Sequence, residues 1–287
     1  MEKILVTGAD GQLGKSIQKL SGKYLTLKFV FKNSKQLDIT DSESVNSIFK
    51  KEDFNFCINC AAYTNVEQAE KTPEIAYKIN ADAVKNLALA CKRNKVFLIH
   101  ISTDFVFDGK QTRPYTEEDE AKPLNVYGVT KLKGEKVVEE LLEHYFIIRT
   151  SWLYSEYENN FLKTMLRLGN ENNEVRVVSD QIGTPTYARD LALLLILIIK
   201  KNKKPFGIYH YSNESEASWY DFAIAIFGLS NINIKVQPVK TKDFVTSVNR
   251  PIYSVMNKSK LKDNFGIVIP HWKDSLKECI NRLAVNK

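Results

Sequence analysis

The feature that most restricts this chain is a glycine-rich turn set directly behind an apolar strand at its start. Ile4–Thr7 runs into Gly8-Ala-Asp-Gly11-Gln12-Leu13-Gly14, and the segment from Gly14 to Leu20 has helical periodicity. Glycine is needed where a chain turns tightly and where backbone must approach a pyrophosphate, and the N-terminus of the following helix stabilises the anion. Three glycines alone would suit any tight turn. Between a first strand and a first helix they predict a dinucleotide cradle, with Gly8 and Gly11 against the cofactor.

The rhythm that follows agrees with this. Leu25–Phe31, Phe54–Cys60, Val96–Ser102 and Tyr145–Arg149 read as strands, separated by helical stretches at Val45–Lys51, Pro73–Asn94 and Lys131–Glu143. Strands alternating with helix-length segments make parallel βαβ units covered on both faces. The expected fold is α/β: a Rossmann-type doubly wound parallel sheet with a smaller C-terminal substrate-binding lobe. After Trp152 the pattern loosens. A Gly/Asn/Glu-rich turn at Gly169–Glu174 is followed by a strand at Val175–Val178, a loop at Gln181–Thr186 and an apolar helix preceded by Asp190; a strand at Gly207–Tyr211 and a helix capped by Ser218 come next. Residues 1–155 are assigned to the NAD(P)-binding domain and 156–287 mainly to the lobe, with some segments returning to the first domain.

Composition removes several classes. With 287 residues, 44% of them hydrophobic, the chain can bury a full core without staples. Cys57, Cys60, Cys91 and Cys279 include one C-x-x-C pair and no second pair at zinc spacing. No closed metal site is therefore expected, and a reduced, cytoplasmic chain is. The longest all-apolar run, Leu191–Ile199, falls far short of the roughly 20 residues of a membrane span, and no apolar signal core follows Met1. A buried helix is expected there, with no membrane insertion. The net charge of +7 is carried almost wholly by residues 156–287, which suits a polyanionic ligand as well as a solvated lysine-rich surface. No nucleic-acid motif accompanies it, so no nucleic-acid partner is expected.

A second constellation bears on chemistry. Thr103 and Asp104 end one strand, and Tyr127 and Lys131 stand four apart at the opening of a helix, on one face. An ammonium at Lys131 beside the Tyr127 phenol would favour phenolate, so that the tyrosine donates a proton to a carbonyl oxygen held by Thr103. Lys131 would also bond a nicotinamide ribose. Tyr-x-x-x-Lys is weak by itself, since Tyr24 and Lys28 repeat it, but that pair falls around a strand. No carboxylate ends the second strand, where Lys32-Asn-Ser-Lys35 stands, so NADPH is favoured over NADH, with NADH use also open. Asp38 is the nearest acid and is placed toward the adenine edge.

The spacing G-x-x-G-x-x-G resembles the short-chain dehydrogenase/reductase superfamily, and a set of blocks narrows this. Asn59-Cys-Ala-Ala-Tyr-Thr-Asn-Val-Glu-Gln-Ala-Glu70, Ile101-Ser-Thr-Asp-Phe-Val-Phe-Asp-Gly109, Pro123-Leu-Asn-Val-Tyr-Gly-Val-Thr-Lys131, Arg149-Thr-Ser-Trp152, Asp180-Gln-Ile-Gly-Thr-Pro-Thr186 and Ser218-Trp-Tyr220 resemble the dTDP-4-dehydrorhamnose reductase family. The resemblance implies NADPH-dependent reduction of the C4 ketone of a dTDP-linked 4-keto-6-deoxy sugar. It implies Thr103, Tyr127 and Lys131 as catalytic residues, and Gly8, Gln12, Leu13, Asp38, Ile39, Ala61, Ala62 and Tyr63 as cofactor contacts. For the substrate it implies Thr103, Asp104, Trp152, Asn160 and Arg250, the last as a guanidinium fork for diphosphate. Some members carry a glutamate for Mg²⁺ at a dimer interface where this chain has Lys15-Ser16. A Mg²⁺ site is thus not expected, and a monomer or weak homodimer is. Two other readings stay open: a reductase of another nucleotide-linked 4-keto-6-deoxy sugar, and a regulatory subunit resembling the β subunit of methionine adenosyltransferase.

Overall fold

The computed structural model describes residues 1–201, 205–244 and 248–285. Five apolar stretches form the strands β1 (Glu2–Thr7), β2 (Leu27–Lys32), β3 (Phe56–Asn59), β4 (Phe97–Thr103) and β5 (Tyr145–Thr150). With the strand Gly207–His210 they make one six-stranded sheet in the order Gly207–His210, β5, β4, β3, β1, β2, parallel throughout. The chain leaves β1 toward β2 and then crosses back to β3 on the other side. The carboxyl ends of β1 and β3 therefore flank a topological switch point, where ligands of doubly wound sheets bind.

Both faces of the sheet are buried. On one, Ile4, Val6, Ile58, Ile99 and Ile148 pack with Leu13, Ile17 and Leu20 of the first helix, α1 (Gln12–Ser21), and with the helix Ala188–Lys200. The Leu191–Ile199 run is thus a core helix, with Leu193 alone of its side chains exposed. On the other face Leu5, Cys57, Leu98 and Ile147 meet Val45, Val84, Leu87 and Val138. No helix among the described residues is long and apolar enough to cross a membrane. A third core, built around Tyr154, Leu162, Phe222, Ile226 and Trp272, belongs to the C-terminal segments. There Glu174–Val178 pairs with Lys235–Val239, and Ser218 closes a capping box with Asp221 at the head of Trp219–Leu229.

Several elements differ from the sequence expectation. The stretch Pro73–Asn94 is not one helix: Pro73–Tyr77 and Ala83–Asn94 are joined by a wider π turn at Lys78–Asp82. Asn80 in that turn spends its side chain on Tyr63 backbone and Thr130, and its carbonyl comes so close to Gly134 that a Cβ there would lie 2.2 Å away. Gly169 does not turn the chain. The helix Phe161–Glu171 runs through it, and a Cβ at Gly169 would sit 2.7 Å from the Phe227 ring, so this glycine serves close helix packing. The helix opened by Tyr127 runs Val126–Leu141, its start capped by Asn125 through Gly128 N–H, and it ends two residues short of Glu143. Asp190 lies inside the first turn of its helix, its carboxylate bound by Asn213 and Ser275. The loop at Gln181–Thr186 contains two short bridges, Ile182–Gly183 and Thr186–Tyr187.

Candidate active site

A cleft of about 530 Å³ opens over the switch point. Its floor is the glycine turn. Gly8 has φ +62°, and a Cβ there would lie 2.6 Å from Ala61 N; a Cβ at Gly14 would lie 2.5 Å from Gly8 O. Only glycine lets β1, the end of β3 and α1 converge so tightly. Gly11 caps α1 with no side chain bonded to the first turn, which leaves backbone N–H groups of that turn to face an anion. The cradle fits a dinucleotide pyrophosphate.

The far wall holds the polar centre. Thr103 ends β4, and its Oγ1 donates to Asp104 Oδ1 at 3.1 Å while accepting from Phe105 N–H. Gly128 lets the Val126–Leu141 helix start directly against this segment, since a Cβ there would stand 2.2 Å from Phe105 O. That contact delivers Tyr127 beside Thr103, its ring edge-on to Phe105 at 5.7 Å. Burial, chiefly, together with the Asp104 carboxyl pushes the Tyr127 phenol up to about 12, while the Thr103 hydroxyl draws it down. Burial also pushes Asp104 up to about 6, against hydrogen bonds from Ser254 and Thr103 that draw it down. The Lys131 ammonium is turned onto β4: Nζ donates to Ile101 O at 2.6 Å and lies 3.5 Å from His100 Nε2. Burial lowers it to about 8. The tuning of Tyr127 by Lys131 expected from their spacing is thus not what shifts the phenol here; burial, Thr103 and Asp104 are.

The cleft brings together Gly8, Gly11, Gln12, Leu13, Ala62, Thr103, Asp104, Tyr127, Lys131, Trp152, Asn160 and Arg250. It does not include Asp38, Ile39, Ala61 or Tyr63 in its lining. Asp38 is exposed and accepts from Thr40 N–H, Ile39 is core, Ala61 underlies Gly8, and Tyr63 N–H donates to Asn80. Gln12 and Asn160 are tied to each other at 3.0 Å, and the Asn160 amide also bonds the Ser155 and Tyr157 carbonyls while capping its helix. Its polar atoms hold the turn to the C-terminal segments. Arg250 lies 3.6 Å from Glu67 and lines the cleft. Trp152 adopts φ 47° and is sandwiched: its indole stacks on Trp219 at 3.6 Å and covers Gly183, where a Cβ would meet it at 2.7 Å.

Three features escaped the sequence reading. Trp219 forms part of the cleft wall with Trp152. Asp10 reaches the end of β2, where its carboxylate accepts from Asn33 Nδ2 at 2.8 Å, so an acid does stand beside the Lys32–Lys35 segment. Buried Asn59 and His100 extend the Lys131 centre into the sheet. Lys15, at the position considered for a Mg²⁺ ligand, is ion-paired with Glu158.

Comparison with known proteins agrees with this geometry. The family model described as RmlD substrate binding domain matches residues 1–285. The dTDP-4-dehydrorhamnose reductase of Aggregatibacter actinomycetemcomitans is 43% identical, over 96% of this chain and 98% of its own. The crystal structure of a dTDP-4-dehydrorhamnose reductase from Clostridium acetobutylicum superposes with a TM-score of 0.94 at 44% identity, over 98% and 99% of the two chains. That of the Bacillus anthracis reductase, in complex with NADP, superposes at 0.93 with 41% identity, over 98% and 99%. With a family model spanning nearly its whole length and relatives above 40% identity, the chain belongs to the dTDP-4-dehydrorhamnose reductase family.

Proposed function

We propose that this protein is a dTDP-4-dehydrorhamnose reductase, reducing the C4 ketone of dTDP-4-dehydro-β-L-rhamnose to dTDP-L-rhamnose with NADPH. The observation that carries the reading is the meeting of a protonated Tyr127 phenol, the Thr103 hydroxyl and the glycine cradle in one cleft. Bound NADPH supplies the hydride that arrives at C4. Tyr127 and Thr103 hold the ketone oxygen from one side, and Tyr127 Oη gives it a proton as charge develops there. A phenol raised to about 12 is fully protonated at neutral pH, as an acid must be before it donates. Asp104, whose carboxylate lines the cleft beside Thr103, accepts a sugar hydroxyl and so fixes which face of C4 meets the cofactor. The Trp152–Trp219 stack forms an apolar wall for the deoxysugar or base, and Arg250 with the basic C-terminal half attracts the diphosphate.

On this reading residues 1–155, with the returning strand, hold the cofactor and the remainder holds the sugar nucleotide. The four free cysteines suit a reducing compartment, the cytoplasm, and the Lys15–Glu158 pair in place of a carboxylate suits a monomer or weak homodimer without Mg²⁺. Replacing the acid tests the mechanism. Tyr127→Phe should lower kcat by roughly 10²- to 10⁴-fold, the usual contribution of a general acid, while the Kd for NADPH stays within about twofold. An unchanged kcat removes Tyr127 as the proton donor.

A further inference from the structure

Thr7, Asn59 and His100 are neighbours in register on β1, β3 and β4, and all three are buried polar residues. Their hydrogen bonds fix each other's orientation. Asn59 Oδ1 accepts from Thr7 Oγ1 at 2.7 Å and from the Ala61 backbone N–H at 3.2 Å. A backbone N–H can only donate, so the atom facing it is the amide oxygen, and the Asn59 NH₂ points to His100 Nδ1 at 3.1 Å. That nitrogen must then be bare. The single proton of a neutral ring sits on Nε2, which faces Lys131 Nζ at 3.5 Å.

We propose that His100 is a positioning residue for Lys131: held by Asn59 with its proton on Nε2, it presents a donor rather than an acceptor to the Lys131 amine and so favours the uncharged amine. A charged Lys131 puts two donors head to head; an uncharged one accepts from the ring. Ile101 O is satisfied in either state, because an amine keeps N–H donors. The other groups around Lys131 leave this contact to act. Glu135, one turn along the same helix, attracts the ammonium, but its carboxylate is gripped by Arg149 of β5 and Ser102 of β4. Cys60, after β3, is kept as a neutral thiol by burial. Tyr127 on the same helix is a protonated phenol, and the Asn80 carbonyl on the π turn packs against Gly134. Burial and Lys131 itself keep His100 neutral, well below the ordinary histidine value, which matches the one-proton ring the bonds require.

The consequence for turnover rests on the reductase reading above; the tautomer does not. If loss of the Lys131 proton sets the alkaline limb of kcat/KM, His100→Leu, which removes the donor, moves that limb up by about one pH unit, the size of one net hydrogen bond. His100→Gln, whose amide nitrogen can reach the Nε2 position, keeps it at the parental pH. The tautomer and the Lys131 titration are read directly in the parent protein, free of substrate, by ¹⁵N NMR of labelled histidine and ¹³C NMR of labelled lysine. A bare Nδ1, a protonated Nε2 and a Lys131 midpoint well under that of an ordinary lysine are expected. A ring protonated on Nδ1, or a Lys131 midpoint in the ordinary lysine range, overturns the proposal whether or not the variants fold. So does a Leu variant whose lysine titrates as the parent's does. Failure to turn over any dTDP sugar would instead count against the reductase reading and leave the two NMR results to decide this one.

Discussion

Asp10 shows what a single side chain can change. The segment after β2 carries lysines and no acid, which favours NADPH, yet the fold brings the Asp10 carboxylate to that place through Asn33. The end of the second strand is where the adenosine ribose of a bound dinucleotide lies, and a carboxylate there disfavours a 2′-phosphate. Asp10→Asn should therefore raise the ratio of kcat/KM for NADPH over NADH by roughly three- to tenfold at low salt, and less as salt screens the pair. An unchanged ratio would place Asp10 away from the ribose. The contrast with Tyr127 explains which residues were legible. Tyr127, Lys131 and the glycines stand at fixed local spacings, so the chain itself displays them. Asp10–Asn33 and Thr7–Asn59–His100 exist only through strand pairing, and no local pattern marks a buried asparagine or histidine as part of a centre.

At the scale of elements, the Val126–Leu141 helix is the one on which the site depends. It is pressed against the Thr103–Phe105 segment at Gly128 and against the π turn at Gly134, and it is locked to the sheet by Glu135. Glu135 and Arg149 are buried, their charged groups 2.6 Å apart, with Ser102 donating to the same carboxylate. Removing one partner strands the other charge, so Glu135→Leu should destabilise the fold by about 3–5 kcal/mol in chemical denaturation. A loss under about 1 kcal/mol would mean that Arg149 finds another partner or water. The helix was legible as a helix, and its partner strands as strands, because apolar periodicity reports burial. The π turn was not, since Asn80 opens the helix to satisfy contacts with Tyr63 and Thr130 that are distant in sequence. Gly169 misled for a related reason: a glycine demanded by close packing looks in sequence like one demanded by a turn.

The whole molecule couples a sheet-centred half to a C-terminal half that returns one strand, Gly207–His210, to the sheet edge. The alternation of strands and helices made the first half readable, whereas short bridges and proline-broken segments of the second take their shape from packing around Tyr154, Phe222 and Trp272. The returning strand also buries His210, which with His100 gives the molecule a global pH response. Burial lowers His210 to about 3 and His100 well below its ordinary 6.5, so the unfolded chain binds these protons first. Their stabilising share is complete above pH ~6.5 and is lost as pH falls toward the folded values, by up to about 1.4 kcal/mol per pH unit for each ring. Asp104 acts oppositely: its folded value, raised to about 6, makes the native state take up a proton before the unfolded chain does, offsetting one histidine below that pH. The melting temperature should therefore fall as pH drops from about 7 through 6, and Asp104 keeps the fall shallower below pH ~6 than the two histidines alone would make it. A melting temperature that rises between pH ~6.5 and ~6 would contradict neutral burial of the two rings.

On the reading above, this cleft reduces a nucleotide-linked ketone. The most direct measurement supplies enzymatically prepared dTDP-4-dehydro-β-L-rhamnose with NADPH, follows nicotinamide absorbance and identifies the sugar product. NADPH oxidation matched mole for mole by dTDP-L-rhamnose is expected. NADPH that binds but is not oxidised, or a product other than dTDP-L-rhamnose, would contradict it.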